Sequence, residues 1–255
     1  MGGARCGGLG PRELMLCAVS GLLFWIGGNG LAIVALTELP SSFVAMAMGT
    51  IPLWSVAMSG IVERKLPSGP LPILLGFLGL VLIFWPTLTA QSETFNVSFW
   101  AVAALVGAPV TWTLATMLQP GLQRQADPTM LSAIQLGFGA LGAIVICIFQ
   151  GAVAPDSPST TTLLSILYMA VFGSALSFRS YVIATKKFSK PAVAAFAYVN
   201  PLVGLLLGWL VLGEWPEFIS LVGTALVTLS VIVTLHATAR EQRKPGLTTT
   251  GETYG

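Results

Sequence analysis

Long apolar runs, each closed by a short polar turn, recur along the whole chain. A helix needs about 20 apolar residues to cross about 30 Å of hydrocarbon. Eight stretches qualify: Leu14–Leu36, Ser42–Val62, Leu71–Leu88, Val97–Leu118, Met130–Gln150, Thr162–Thr185, Ala192–Leu212 and Phe218–Ala237. Turn-forming clusters separate them, among them Glu38-Leu39-Pro40-Ser41, Pro67-Ser68-Gly69-Pro70, Gln119-Pro120-Gly121, Pro155-Asp156-Ser157-Pro158 and Gly213-Glu214-Trp215-Pro216. Gly, Ala and Ser inside the runs let helix backbones approach closely in lipid. The pattern predicts an all-α integral membrane protein of about eight transmembrane helices.

Composition removes the soluble alternative. The 255 residues are 55% hydrophobic and only 9% charged, where a soluble domain carries roughly 25%. A net charge of +2 gives no nucleic-acid surface. Cys6, Cys17 and Cys147 have no metal-type spacing, and His236 is the only histidine. A metal centre or hydrolytic triad therefore has no ligands or bases to be built from. No Walker-type Gly-x-x-x-x-Gly-Lys occurs, so no ATP motor is expected. We expect no cofactor, no metal and no enzymatic activity.

Charge placement then orients the spans. Arg5, Arg12, Arg64, Lys65, Arg124, Lys186, Lys187, Lys190, Arg240, Arg243 and Lys244 all fall at the two termini or in the even-numbered loops. The odd-numbered loops carry Glu38, Glu93, Asp156, Glu214 and Glu217 and no Lys or Arg. The positive-inside rule puts both termini and the even loops in the cytoplasm. Residues 1–13 become a cytoplasmic N-terminal segment, and the Thr- and Gly-rich residues 238–255 a disordered cytoplasmic tail. Leu14–Leu36 is longer than the apolar core of a signal peptide. Asn96-Val97-Ser98 matches a glycosylation sequon on the external side.

An internal repeat is visible as well. The segments beginning at Ala35 and Ala184 align without a gap, and Pro52 pairs with Pro201, each 17 residues on. An apolar half-helix, a Glu (Glu63, Glu214) and a Gly-led helix (Gly76, Gly223) follow in both copies. The loop inside the first copy is external and its counterpart cytoplasmic, so the copies run in opposite senses. Inverted repeats of this kind characterise secondary transporters, with the solute site at the repeat interface.

With these residues the chain resembles the drug/metabolite transporter superfamily, specifically its EamA-domain permeases. The resemblance implies an inverted-repeat EamA-like bundle: residues 14–88 as a partial first unit of three helices and 97–237 as a second unit of five. It further implies that the first two of the usual ten helices are missing, that residues 71–88 and 218–237 are peripheral, and that small metabolites are exported by alternating access around a central cavity.

Residues suited to a solute site are Trp25, Asn29, Trp112, Gln135, Ser177, Arg179, Tyr181, Tyr198 and Asn200. Arg179 is the one basic residue within a span, about 10 Å of helix rise from Lys186. It either attracts a carboxylate or extends its side chain to the interface. Trp25 and Asn29 share a helix face, and a mid-membrane amide either binds solute or ties helices together. Asn200 precedes Pro201, whose ring frees an upstream carbonyl that the amide can satisfy; Tyr198 beside it is cavity wall or packing aromatic. Polar stripes Trp112–Thr116–Gln119, Ser132–Gln135–Gly139–Gly142 and Ser174–Ser177–Tyr181 suit a cavity lining and helix packing equally. Glu63 and Glu214 lie at helix ends, where solvated capping is the default. No Asp or Glu lies well inside a span, so no carboxylate proton relay is expected.

The leading reading is a secondary transporter, exporting small polar metabolites such as amino acids across the cytoplasmic membrane. The runner-up is a truncated, non-transporting membrane protein or partner subunit. Expected partners are a small-molecule substrate and the lipid bilayer, with a homodimer as an option and no nucleic acid.

Overall fold

Start signals written in the sequence open most of the long helices. In the computed structural model α1 covers Pro11–Leu36, with Pro11 at its first position, where a missing N–H costs nothing. Ser98 caps α4 (Phe99–Leu122) by accepting from the Ala101 N–H. Asp127 caps α5 (Pro128–Phe149) through the Thr129 N–H at 2.9 Å. Ser159 caps α6 (Thr160–Lys187) through Thr162. The remaining helices are α2 (Ser41–Met48), α3 (Leu71–Ala90) and α7 (Phe218–Arg243). The structure describes residues 9–39, 41–52, 54–55, 57–58, 71–90, 98–124, 126–152, 157–188 and 217–243, with isolated helical positions at 193, 196, 199, 203, 206 and 210.

The described chain is helical throughout, as the apolar periodicity predicts, and α1, α4, α5 and α6 are each long and apolar enough to cross a membrane. Two boundaries differ from the sequence reading. Gln119-Pro120-Gly121 is not a turn: α4 continues through Pro120 to Leu122. Gln119 is fully buried there, and its side chain is held by the neighbouring helix, so tertiary contacts override the local breaker signal. At the far end, α7 runs on to Arg243, six residues past the predicted span. The helix that begins with α2 is interrupted at Gly49 and Thr50 and resumes at Ile51. At the interruption the Thr50 N–H and hydroxyl both donate to the Ala47 carbonyl, at 3.0 and 2.6 Å.

Close packing is built on small residues. α1 lies against both α4 and α5. A side chain at Gly21 would meet the Gln135 backbone at 2.5 Å, and one at Gly139 would meet Trp25 at 2.6 Å. In lipid, where apolar surface gives no solvent-driven association, such backbone proximity is what holds helices together. α3 and α7 form a second pair, crossing where Gly79 faces Gly223 and where Ser220 donates to the Ile83 carbonyl at 3.0 Å.

α1 and α6 are distorted in the same way. Each contains an eight-residue π-helical segment, Leu23–Gly30 in α1 and Met169–Leu176 in α6. The repeat alignment that pairs Ala35 with Ala184 carries the first segment onto residues 172–179, overlapping the second. Their surroundings differ. α1 is sandwiched by α4 and α5, whereas α6 is exposed from Thr160 through Leu176 apart from half-buried Ser174.

Candidate substrate site

The wide turn of α1 delivers two aromatic side chains to the middle of the bundle. Phe24 is fully buried, with ring centroids 5.0 Å from Trp112, 5.1 Å from Phe178 and 5.9 Å from Tyr181, all edge-on. Trp25 stands 5.3 Å from Phe178, and Phe196 5.2 Å from Tyr181. Edge-to-face geometry suits the ring quadrupoles. α1, α4 and α6 therefore meet in one aromatic cluster, which Phe196 joins.

Two polar networks adjoin it, and they differ in kind. In the first, Trp112 Nε1 donates to the Tyr181 hydroxyl at 3.3 Å, and Tyr181 and Thr116 hydroxyls lie 2.6 Å apart. Thr116 gives its own proton to the Trp112 carbonyl at 2.9 Å, so Tyr181 must be the donor to Thr116. That circuit is closed, with every proton spent. In the second, Gln119 Nε2 donates to Gln135 Oε1 at 3.3 Å, Gln135 Nε2 to Ser20 Oγ at 2.5 Å, and Ser20 to the Cys17 carbonyl at 3.2 Å. Gln119, Gln135 and Ser20 are all fully buried. This chain is open at its head. Gln119 Oε1 has no donor among the described residues, and neither has the buried Trp25 Nε1 an acceptor. Unpaired buried polar atoms are rare in native proteins and call for an explanation.

Both ends of the bundle are tied. At the end holding Arg12, Arg124 and Lys186, Gln123 Nε2 donates to the Val182 carbonyl at 2.9 Å and to Thr185 Oγ1 at 2.6 Å. Arg179 Nε donates to Thr129 Oγ1 at 3.0 Å. Asp127 lies there too. The Thr129 N–H foremost holds its carboxyl below the usual range; desolvation, the next influence, opposes it, and the Thr129 hydroxyl, the Met130 N–H and the Lys186 charge add to the lowering. At the opposite end, Glu38 accepts from the Ser98 N–H and hydroxyl, both at 2.8 Å. Those two bonds, the backbone one foremost, lower its pKa. A cavity of about 370 Å³ lies between the stretch around Trp54 and α4, lined by Ala47, Thr50, Leu105 and Pro109 and almost wholly apolar.

Of the residues singled out in the sequence, the structure brings Trp25, Trp112 and Tyr181 into the aromatic cluster and Gln135 into the open network. Asn29, Ser177 and Arg179 stand apart from it. Asn29 donates to the Phe24 carbonyl at 3.1 Å, Ser177 to the Phe172 carbonyl at 2.5 Å, and Arg179 is exposed. Tyr198 and Asn200 lie outside the described residues. Phe24, Phe178 and Ser20 were not singled out. Phe24 and Phe178 are apolar rings in an apolar background, and Ser20 is one of many small residues suited to any helix–helix contact.

The EamA-like transporter family matches residues 99–236 of this chain. The chain belongs to that family. An uncharacterised inner membrane transporter of Escherichia coli strain K12, YedA, is 26% identical over 226 residues, spanning 87% of this chain and 71% of the relative. An uncharacterised transporter of Archaeoglobus fulgidus is 23% identical over 223 residues, 87% of this chain and 75% of its own. The fold is shared with a protein of known crystal structure at a TM-score of 0.65 and 18% identity, covering 92% of this chain and 91% of that one. This EamA-family protein is thus a multi-pass membrane transporter.

Proposed function

We propose that this EamA-family chain exports small polar metabolites of the amino-acid type by alternating access, binding them between Trp25 and Gln119. The observation that carries this reading is the pair of unsatisfied buried atoms beside the aromatic cluster. Trp25 Nε1 offers a proton to a carboxylate, and Gln119 Oε1 accepts one from an ammonium or hydroxyl group. The aromatic faces of Phe24 and Phe178 supply an apolar wall. The basic end is taken as cytoplasmic from the distribution of Lys and Arg. Opening the ties around Gln123 and Arg179 exposes the site on that side, and opening the Glu38–Ser98 tie exposes it on the other.

Solute counterflow into proteoliposomes, with labelled amino acids and organic acids, tests this. Uptake above empty liposomes is expected for at least one amino acid. Trp25→Phe keeps a ring but deletes the donor. A hydrogen bond to a charged group is worth about 1.5–3 kcal/mol, so half-saturation rises by about tenfold or more while the melting temperature stays near native. Uptake that ignores this substitution removes Trp25 from the site, and no uptake across the panel refutes the transport reading. A second reading, a subunit that works only with a membrane partner, draws on the exposed length of α6 from Thr160 to Leu176.

A further inference from the structure

We propose that the two π-helical segments are the paired hinges of this protein, latched by Asn29 in α1 and Ser177 in α6. The idea deepens the alternating-access reading, on which its role in transport rests. A π segment carries one residue more than α-helical geometry accommodates, and such bulges mark functional irregularities. Here the distortion occurs in the helix leading into each repeat copy, at overlapping positions when the alignment is extended back from Ala35 and Ala184. In each copy a polar side chain donates to the carbonyl five residues earlier, Asn29 Nδ2 to Phe24 and Ser177 Oγ to Phe172. That is the spacing of the π register itself, so each side chain favours the wide turn over the α turn.

What lies on either side of the segments fits a hinge. The half of α1 before Leu23 is held by the contact of Gly21 with Gln135 and by the Ser20–Gln135 bond. The half of α6 after Leu176 is held through buried Phe178 and Val182 and through Gln123. Beyond the second segment, Thr160–Tyr168 buries no residue. Returning the extra residue to α register turns one half against the other by about a third of a turn, with about 1.5 Å of rise. On a helix of about 10–12 Å diameter that moves a side-chain tip by about 8 Å. Trp25 lies within the first segment, so a solute on its Nε1 touches the hinge directly.

The test is electron-spin distance measurement on the full chain in nanodiscs, with Cys6, Cys17 and Cys147 replaced by alanine. Labels at Leu164→Cys and Ile148→Cys report on the free half of α6, and labels at Ile33→Cys and Ile148→Cys on the half of α1 beyond its π segment. Met15→Cys with Met130→Cys is the reference at the clamped end. All five positions are exposed. Ser177→Ala is expected to raise a second Leu164–Ile148 distance about 8 Å from the first, its population growing by roughly three- to tenfold for one lost hydrogen bond. Asn29→Leu acts likewise on the Ile33–Ile148 pair. Ser177→Thr, which keeps the hydroxyl, restores the native distribution, and the reference pair does not change. Native distances in both latch variants overturn the hinge. So does an equal change in the reference pair, which marks general loosening. Absent counterflow in the native chain defeats the transport reading alone, because these distances are read without solute.

Discussion

Gln135 is the middle link of the open hydrogen-bond chain, and its replacement by leucine has a calculable consequence. The substitution leaves Gln119 Nε2 without its acceptor, so a fully buried amide is then unpaired at both ends. Ser20 loses only a donated bond and still spends its own proton on the Cys17 carbonyl. Orphaning a buried polar group costs about 1–3 kcal/mol, and interhelical hydrogen bonds in membranes fall in the lower part of that range. Gln135→Leu should therefore destabilise the protein by about 1–2 kcal/mol. Replacing both glutamines by leucine removes the orphan and fills the site with apolar volume. The double variant should be more stable than the sum of the single effects by about 0.5–1.5 kcal/mol. Unfolding free energies from denaturant titration in mixed micelles, taken through the complete double-mutant cycle, measure this term. Additivity within about 0.3 kcal/mol, the behaviour of independent sites, would show that the two amides do not interact and would refute the network.

Three further outcomes follow from the geometry. Gly223→Val should cost about 1–3 kcal/mol, read as a lower melting temperature, because its side chain would start 2.6 Å from the Gly79 carbonyl. Gly137→Ala, with nothing within 4 Å of the new methyl group, should be neutral or stabilise by about 0.5–1 kcal/mol in the same assay. The Glu38 carboxyl is lowered in the folded state from its ordinary 4.5, so its contribution is complete above that value and is lost as pH falls through the folded pKa. Melting curves of Glu38→Gln should therefore show a shallower decline across that acidic window than the native chain, the part due to Asp127 remaining, and identical pH profiles would remove the Glu38–Ser98 tie.

How much of this was legible beforehand depended on the kind of signal. The apolar runs gave α1, α4, α5 and α6 to within four residues at each end, because burial in hydrocarbon leaves a length-coded trace. Pro120 misled, because a helix near its end tolerates a proline when Gln119 is anchored from the next helix. The π segments left no trace. Widening a turn at Leu23–Gly30 needs no special residue type, and Asn29 and Ser177 read as ordinary polar intrusions until their partners five residues back are seen. Half of the candidate site was visible for a similar reason. Trp112, Gln135 and Tyr181 stand out as polar atoms in an apolar background, whereas Phe24 and Phe178 belong to that background.

The contrast between α1 and α6 bears on which repeat moves. Local stability follows buried contact, and segments with little of it open at the lowest free energy. Phe24 and Ala35 of α1 are fully buried, Leu31 meets Gly107, and the end of the helix is tied through Glu38 to Ser98. The half of α6 before its π segment, Thr160–Tyr168, has no buried residue, and among the described residues a side chain at Gly173 would meet only Met169 of its own helix. Equal latches on unequal supports give unequal hinges. Restoring α register in α1 must displace Thr111 and Trp112, which press on Gly27 and Gly28, whereas α6 meets no such obstacle on the described side. The Leu164–Ile148 distance should therefore respond to loss of its latch more than the Ile33–Ile148 distance does, and the reverse order would mean that packing against α4 does not restrain the first hinge.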